Sequence, residues 1–194
     1  MVPLRTSEPI LETYLAALPC PLCYLCRVQN QSPKPKRVMF FVTCMVDQLA
    51  PHIGQSAVRV LERHGVEVVF PTNQTCCGQP AYNSGFATDA HAVAKRFLDV
   101  FEGDDPIVVP SGSCGAMVRN YYKDLFRDEP ELLEKAAAIA ARTYEFTEFL
   151  VQVLRVDELP GGGRLTATAT YHQCCHLLRE LGVDEEPKTL LERI

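Results

Sequence analysis

Long apolar runs are missing from this 194-residue chain. Nothing approaches the roughly 18 residues that cross a bilayer, and the run beside Cys44 is only Val38-Met39-Phe40-Phe41-Val42. No transmembrane segment is therefore expected. Positive charge is also scarce. A formal net charge of −5 leaves no basic footprint, which argues against a nucleic-acid partner. The N-terminus lacks a basic region followed by an apolar block and a small-residue cleavage site, so no secretory signal is expected and the compartment expected is the cytoplasm. No Gly-x-Gly-x-x-Gly follows the first strand-like segment, which leaves a nicotinamide enzyme unsupported. Acid–base and nucleophile triads are absent as well, since Asp104-Asp105 and Asp184-Glu185-Glu186 read as solvated turns.

What is present is cysteine. Nine cysteines without export point to a reducing compartment, and to metal or redox chemistry in place of disulfides. The central stretch is Thr75-Cys76-Cys77-Gly78-Gln79-Pro80. Adjacent Cα atoms lie about 3.8 Å apart, below the disulfide range of about 4.4–6.8 Å, so Cys76 and Cys77 are poor partners for each other. Their thiolates can both reach one polynuclear metal centre, and Gly78 lets the backbone approach without a Cβ. Two small buried hydrophobes are the plain alternative.

The positions of the other cysteines shift that balance. Val38–Thr43 reads as a buried strand with Cys44 at its end, and Val66–Phe70 as a second strand followed by the loop of Cys76 and Cys77. Ile107–Val109 is a third, followed by Pro110-Ser111-Gly112-Ser113-Cys114. Helical patterns run from Pro51 to His64, through Phe86–Phe101, from the Cys114 loop to about Phe126, from Pro130, and through Phe146–Leu154. Thr166–Tyr171 reads as a fourth strand, leading through His172-Gln173-Cys174-Cys175-His176 into a helical Leu177–Leu181. The fold class expected is α/β, a parallel sheet with flanking helices and cysteines at the carboxyl ends of its strands. That edge is where such sheets collect ligands. Cys44, Cys76, Cys77 and Cys114 can thus converge on one site, each close to a helix N-terminus that favours thiolate.

These residues resemble a known family. Cys44, Cys76-Cys77-Gly78 and Ser111-Gly112-Ser113-Cys114 are similar to the cysteine-rich CCG domain of the B component of heterodisulfide reductase and of the glycolate oxidase iron–sulfur subunit. The fuller wording Phe41–Cys44, Gln74–Ala81, Pro110–Cys114, and Tyr171-His172 with Cys175–Arg179 resembles one branch, the A component of the bacterial three-part lactate utilization complex. The resemblance covers Arg37 to the end. It implies two CCG motifs, an iron–sulfur cluster of the 4Fe–4S type, and electron transfer in the oxidation of L-lactate to pyruvate. It also implies partner subunits, among them a ferredoxin-like iron–sulfur protein. The implied first ligand set is Cys44, Cys76, Cys77 and Cys114, with Cys175 opening the second motif. Ser111 stands where many members have a further cysteine, and its oxygen is a harder, more basic ligand. A non-cubane 4Fe–4S cluster, a simpler cluster and zinc thus remain alternatives. Cys174 stands at a serine-like place and is expected to be a spare thiol.

Domains are expected at 1–36 (an extension), 37–158 (the first CCG-type α/β domain) and 164–194 (the start of a second repeat). That second repeat stops about 19 residues past Cys175, so a truncated product or fragment is expected, its continuation carrying another Cys-Cys-Gly. The leading function is an iron–sulfur electron-transfer subunit of an oxidoreductase. A zinc-binding docking subunit is the alternative, and thiol–disulfide exchange ranks last because the ordered part has no Cys-x-x-Cys. His52, His64 and His91 read as helix-surface residues. His172 and His176 flank Cys175, as metal neighbours or as packing and capping residues.

Cys20, Cys23 and Cys26 resemble part of a ferredoxin motif without its fourth cysteine and proline, in a Pro-rich stretch that reads as poorly packed. Deleting residues 1–34 is therefore expected to leave metal content and Tm nearly unchanged. A large loss of either, by metal analysis and thermal melt, would give those three cysteines a role.

Overall fold

The computed structural model describes residues 33–156 and 166–194. From residue 34 on they belong to one compact unit, Lys34–Ile194. Cys20, Cys23 and Cys26, and the Gly161–Gly163 break, lie outside the described residues. Four strands, β1 (Arg37–Phe40), β2 (Glu67–Val69), β3 (Ile107–Val109) and β4 (Thr143–Glu145), form one sheet in the order β2-β1-β3-β4. Every pairing is parallel, with Val38 opposite Val68, Met39 opposite Ile107 and Val109 opposite Glu145. The expected α/β class holds.

Parallel neighbours need crossovers, and helices supply them. Helices α1 (Cys44–Leu49) and α2 (Pro51–Arg63) link β1 to β2, and α3 (Gln79–Asn83) and α4 (Ala87–Val100) link β2 to β3. Beyond β3 run α5 (Gly112–Ala116), a π-helical turn (Met117–Tyr121), α6 (Tyr122–Leu125) and α7 (Pro130–Ala141). After β4 come α8 (Phe146–Glu148), running into a π-helical turn (Phe149–Val153), then a π-helical turn at His176–Leu181 and finally α9 (Glu185–Leu191). Among the described residues no helix is long and apolar enough to cross a membrane.

Strand alternation divides the core into two faces. Val38, Phe40 and Val108 pack with Ala57 and Leu61 of α2 and with Phe149 and Leu150. Phe41, Ile107 and Val109 face the other way, toward Phe97, Phe101, Met117, Tyr122 and Phe126. There the Phe41 ring meets Phe97 edge-on at 4.9 Å, and Phe97 stacks on Phe101 at 4.4 Å. At roughly 1.5–3 kcal/mol for each fully buried large side chain, these rings hold the crossovers on the sheet.

Two expectations about strands are corrected. Thr166–Tyr171 is not a strand, and Thr166–Thr170 are exposed. Ala167 and Ala169 have too little apolar surface to hold such a segment against the sheet. The fourth strand is β4 instead, three residues between two helices and too short to display a period of two. It is anchored by a capping box in which Glu145 accepts from the Thr147 and Glu148 N–H groups, and by Arg119 Nη1, which donates to both carboxylate oxygens of the buried Glu148 at 3.1 and 2.8 Å.

The C-terminal segment lies on the first motif. Leu177 covers Gly112 and Leu181 covers Gly115, while Asn120 donates to the Glu180 carbonyl at 3.1 Å. A Cβ at Gly112 would stand 2.8 Å from the Cβ of Leu177, whereas one at Gly115 would meet a movable methyl of Leu181 at 3.2 Å. Alanine gains up to about 1 kcal/mol of helix propensity, against an overpacking cost of roughly 1–3 kcal/mol. Gly112→Ala is thus expected to destabilise, and Gly115→Ala to be near neutral. Urea unfolding of both variants checks this.

Candidate metal centre

Three loops leave the carboxyl edge of the sheet and carry four thiols to one place. Cys44 opens α1 directly after β1, Cys76 and Cys77 precede α3, and Cys114 lies in the first turn of α5. The sulfurs lie close together. Cys44 Sγ donates to Cys76 Sγ at 3.6 Å, and Cys77 interacts electrostatically with both Cys76 and Cys114. Cys77 and Cys114 are buried, at 1% and 8% exposure, whereas Cys44 and Cys76 are half-buried.

Polar side chains tie the loops together. Gln74 accepts from the Val42 N–H at 2.9 Å and donates to the carbonyls of Phe40 and Pro71, which clamps the second loop to the end of β1. Gln79 donates to the Ser113 carbonyl at 3.1 Å, joining the second loop to the third. Beneath them the buried Tyr122 hydroxyl donates to the Cys77 carbonyl at 3.0 Å. Gly78 has φ +86°, and a Cβ there would stand 3.2 Å from the Ala90 carbonyl oxygen. Glycine is required on both counts, and its N–H reaches Cys76 Sγ at 3.4 Å.

This network separates the thiols into donors and acceptors. Cys76 is lowered to about 5, first by its interaction with the Cys77 sulfur, then against the opposing effect of burial by the Gly78 N–H and the Cys44 thiol. Cys114 is lowered chiefly by its interaction with the Cys77 sulfur, with help from the Ser111 and Ser113 hydroxyls. Cys77 is pushed up, first by its interaction with the neighbouring Cys114 sulfur, then by that with Cys76, and by burial. Burial, followed by its bond to Cys76, raises Cys44. Four soft sulfur donors, two of them with lowered pKa, fit a thiophilic metal centre by chemistry. Their side chains still face one another: among the described residues no group of three or more Cys, His, Asp or Glu stands in metal-holding geometry. Binding would require the thiols to give up these mutual bonds and turn toward a common centre.

Ser111 caps α5, accepting from the Cys114 N–H at 3.4 Å and lying 3.3 Å from Ser113 Oγ. Cys174 is half-buried and Cys175 exposed. Among the described residues no hydrogen bond or charge interaction joins either of them to the other four thiols. His176 lies 3.8 Å from Glu180 and His172 is exposed. His52 is exposed, His64 ends α2, and His91 pairs with Glu129. Sequence reasoning did not assign roles to Gln74, Gln79 or Tyr122. The two glutamines flank the cysteine pair closely enough to have been suspected, whereas Tyr122 is indistinguishable in sequence from a core aromatic.

Residues 38–119 match the cysteine-rich domain family CCG. Over 158 residues the chain is 47% identical to lactate utilization protein A 2 of Bacillus cereus (strain 03BB102), covering 81% of this chain and 64% of that one. Identity is 46% with lactate utilization protein A 2 of Bacillus anthracis (strain A0248), at the same coverage. It is 48% with lactate utilization protein A of Geobacillus thermodenitrificans (strain NG80-2), over 65% of its length. The chain thus spans a little under two thirds of these relatives. No solved structure matches it.

In the metal-free chain the lowered Cys76 keeps its thiolate down to about pH 5 and loses it below. Its alkylation by iodoacetamide should therefore be near plateau by about pH 7, where a thiol of ordinary pKa, about 8.5, is still gaining reactivity. Peptide mapping across a pH series checks this. A Cys76 rate that climbs tenfold per unit up to pH 8 would show that the thiol chain does not hold the charge.

Proposed function

We propose, on the premise that the chain belongs through residues 38–119 to the cysteine-rich CCG family and is a relative of lactate utilization protein A, that it is an iron–sulfur electron-transfer subunit of an oxidoreductase complex. The reaction best matched to the relatives' name is oxidation of L-lactate to pyruvate in the cytoplasm. The partners are the other subunits of such a complex, including a ferredoxin-like iron–sulfur protein. The observation that carries this reading is the meeting of Cys44, Cys76, Cys77 and Cys114 from three strand ends.

An iron–sulfur cluster, of the 4Fe–4S type, supplies one-electron chemistry when bound. The chain's own contribution is placement and environment. Cys77 and Cys114 provide sulfur from the dry side, against Phe97 and Tyr122 of the core. Cys44 and Cys76 provide it from the solvent side. The Gly78 N–H, already aimed at Cys76 Sγ, can hydrogen-bond a ligating sulfur, which moves a cluster potential upward. Tyr122 and Gln79 fix the backbone around Cys77 and Cys114, from which those two sulfurs would hold the cluster. Cys175, outside this group, belongs in this reading to a second motif.

Zinc is the second reading: with Ser111 engaged as a helix cap, the four thiols at the edge match the number of a closed tetrahedral site as well as that of a cluster. Colour separates the two. Anaerobically prepared protein is expected to absorb visible light and contain iron, and the double substitution Cys76→Ser with Cys77→Ser should abolish both. A colourless protein with one zinc would establish the second reading, and an iron spectrum that survives the double change would place the site elsewhere.

A further inference from the structure

Past residue 33 no two cysteines stand in a Cys-x-x-Cys spacing, yet the fold builds a pair that spacing hides. Cys44 and Cys76, 32 positions apart, hold their sulfurs 3.6 Å from each other. A disulfide asks them to close by about 1.5 Å. Their loops are tied at the points nearest the two thiols. Gln74, two residues before Cys76, accepts from the N–H of Val42, two residues before Cys44, at 2.9 Å, and donates to the Phe40 carbonyl at 3.2 Å. The remaining approach therefore falls to the two side chains.

Access divides the four gathered thiols. Cys44 and Cys76 are half-buried and share the lining of a pocket of about 270 Å3, many times the roughly 30 Å3 of one water molecule, which admits a small oxidant. Cys77 and Cys114, at 1% and 8% exposure, are shielded from it. Cys174 and Cys175 are neighbours in sequence, as poor a mutual pair as Cys76 and Cys77. Among the described residues, then, Cys44 and Cys76 are the pair that is both in contact and open.

We propose that Cys44 and Cys76 are a site of oxidative modification, which hydrogen peroxide joins as a disulfide and a dithiol reductant separates again. Cys76 Sγ, which takes the Gly78 N–H at 3.4 Å, attacks one peroxide oxygen. The O–O bond breaks, Cys76 becomes a sulfenic acid, and a first water leaves with the thiol's proton. Cys44 Sγ then attacks the sulfenic sulfur, the S–O bond breaks, and a second water leaves with the Cys44 proton. The two thiols lose two electrons and the peroxide gains them. A dithiol reverses the change by exchange, ending as its own disulfide. One consequence rests on the metal-centre reading above: the bond withdraws two of the four sulfurs and closes the centre to metal until a reductant reopens it.

The metal-free full chain, reduced and then given one equivalent of hydrogen peroxide under anaerobic conditions, is blocked with N-ethylmaleimide and mapped without reduction. A linked peptide pair carrying Cys44 and Cys76 should appear in most chains, vanish with dithiothreitol, persist in Cys77→Ser and be lost in Cys76→Ser. Circular dichroism checks the variants, and tandem fragmentation of the unaltered chain assigns the linked sulfur where a variant fails to fold. Zinc is the metal probe, counted as the uptake that Cys44→Ser lacks. Peroxide should abolish that uptake and dithiothreitol restore it. Linkage through Cys77 or Cys114, oxidation confined to Cys20, Cys23 and Cys26 or to Cys174 and Cys175, or a sulfinic acid at Cys76 without linkage would each overturn the proposal. Linkage that leaves Cys44-dependent zinc uptake intact would overturn the closure. The two levels also separate. Linkage in a chain whose zinc and iron uptake does not depend on Cys44 refutes the metal-centre reading and leaves the modification site standing. Cys44-dependent uptake without linkage refutes the modification site alone.

Discussion

Sulfur-to-sulfur contact across three separate crossovers is the constraint on which the rest of the structure depends. Cys44 and Cys76 are 3.6 Å apart although 32 positions separate them in sequence, and Cys114 joins them from a third loop. Thiols close together and partly ionised repel one another and lose hydration, so nothing intrinsic to the loops would gather them. The gathering is imposed from below. Phe41, Phe97 and Phe101 lock β1 and α4, and Tyr122 reaches out of that same cluster to the Cys77 carbonyl. The site's geometry is in this sense a by-product of aromatic packing on one face of the sheet.

The glutamines convert that packing into a fixed edge. Gln74 satisfies the Val42 N–H and two carbonyls at the point where β1 has run out of ladder partners. A buried backbone group left without a partner costs about as much as a lost hydrogen bond, so Gln74 holds the loop in one position relative to β1. Gln79 does the same between the second and third loops. Two neutral amides achieve this without adding charge next to the thiols, where a carboxylate would push every thiol pKa upward.

How much of this could be read from the chain depends on the length scale of each signal. β3 is a β-branched run buried throughout and β1 opens an apolar run whose Val38 and Phe40 are buried, and both were legible. The same holds for α2 and α4, whose apolar spacing persists for three turns or more. β4 was not legible, because Thr143-Tyr144-Glu145 shows one and a half alternations and owes its place to a parallel neighbour and to the Arg119–Glu148 pair, 29 positions apart. Thr166–Tyr171 misled in the opposite direction: alternation without bulk satisfies a pattern but supplies no burial. The meeting of the four cysteines followed from topology alone, since three successive parallel strands place three loops on one edge. Their hydrogen-bond order did not, because it depends on Gly78 and the capping hydroxyl of Ser111, contacts visible only once the loops are folded.

The π-helical turns show how the carboxyl edge is organised. Met117–Tyr121 follows the Cys114 helix, Phe149–Val153 follows β4, and His176–Leu181 follows Cys175. A π turn widens the helix by one residue and rotates everything beyond it. In the first, this widening falls in the helix that joins Cys114 to Tyr122, so one helix places a thiol at the rim and a phenol beneath the neighbouring Cys77. It also directs Arg119 to Glu148 and Asn120 to the carbonyl of Glu180, binding β4 and the C-terminal turn to the helix that holds Cys114. The third π turn returns the contact through Leu177 and Leu181, closing over the two glycines of α5, tightly enough at Gly112 that a Cβ there would meet Leu177. Cys114 is therefore held from both ends of its helix and from its outer face, while Cys44 sits on a six-residue helix beside the open pocket. The cysteine cluster is thus packed against the core through Cys77 and Cys114 and open to solvent through Cys44 and Cys76, an asymmetry that suits the electron-transfer role proposed for it.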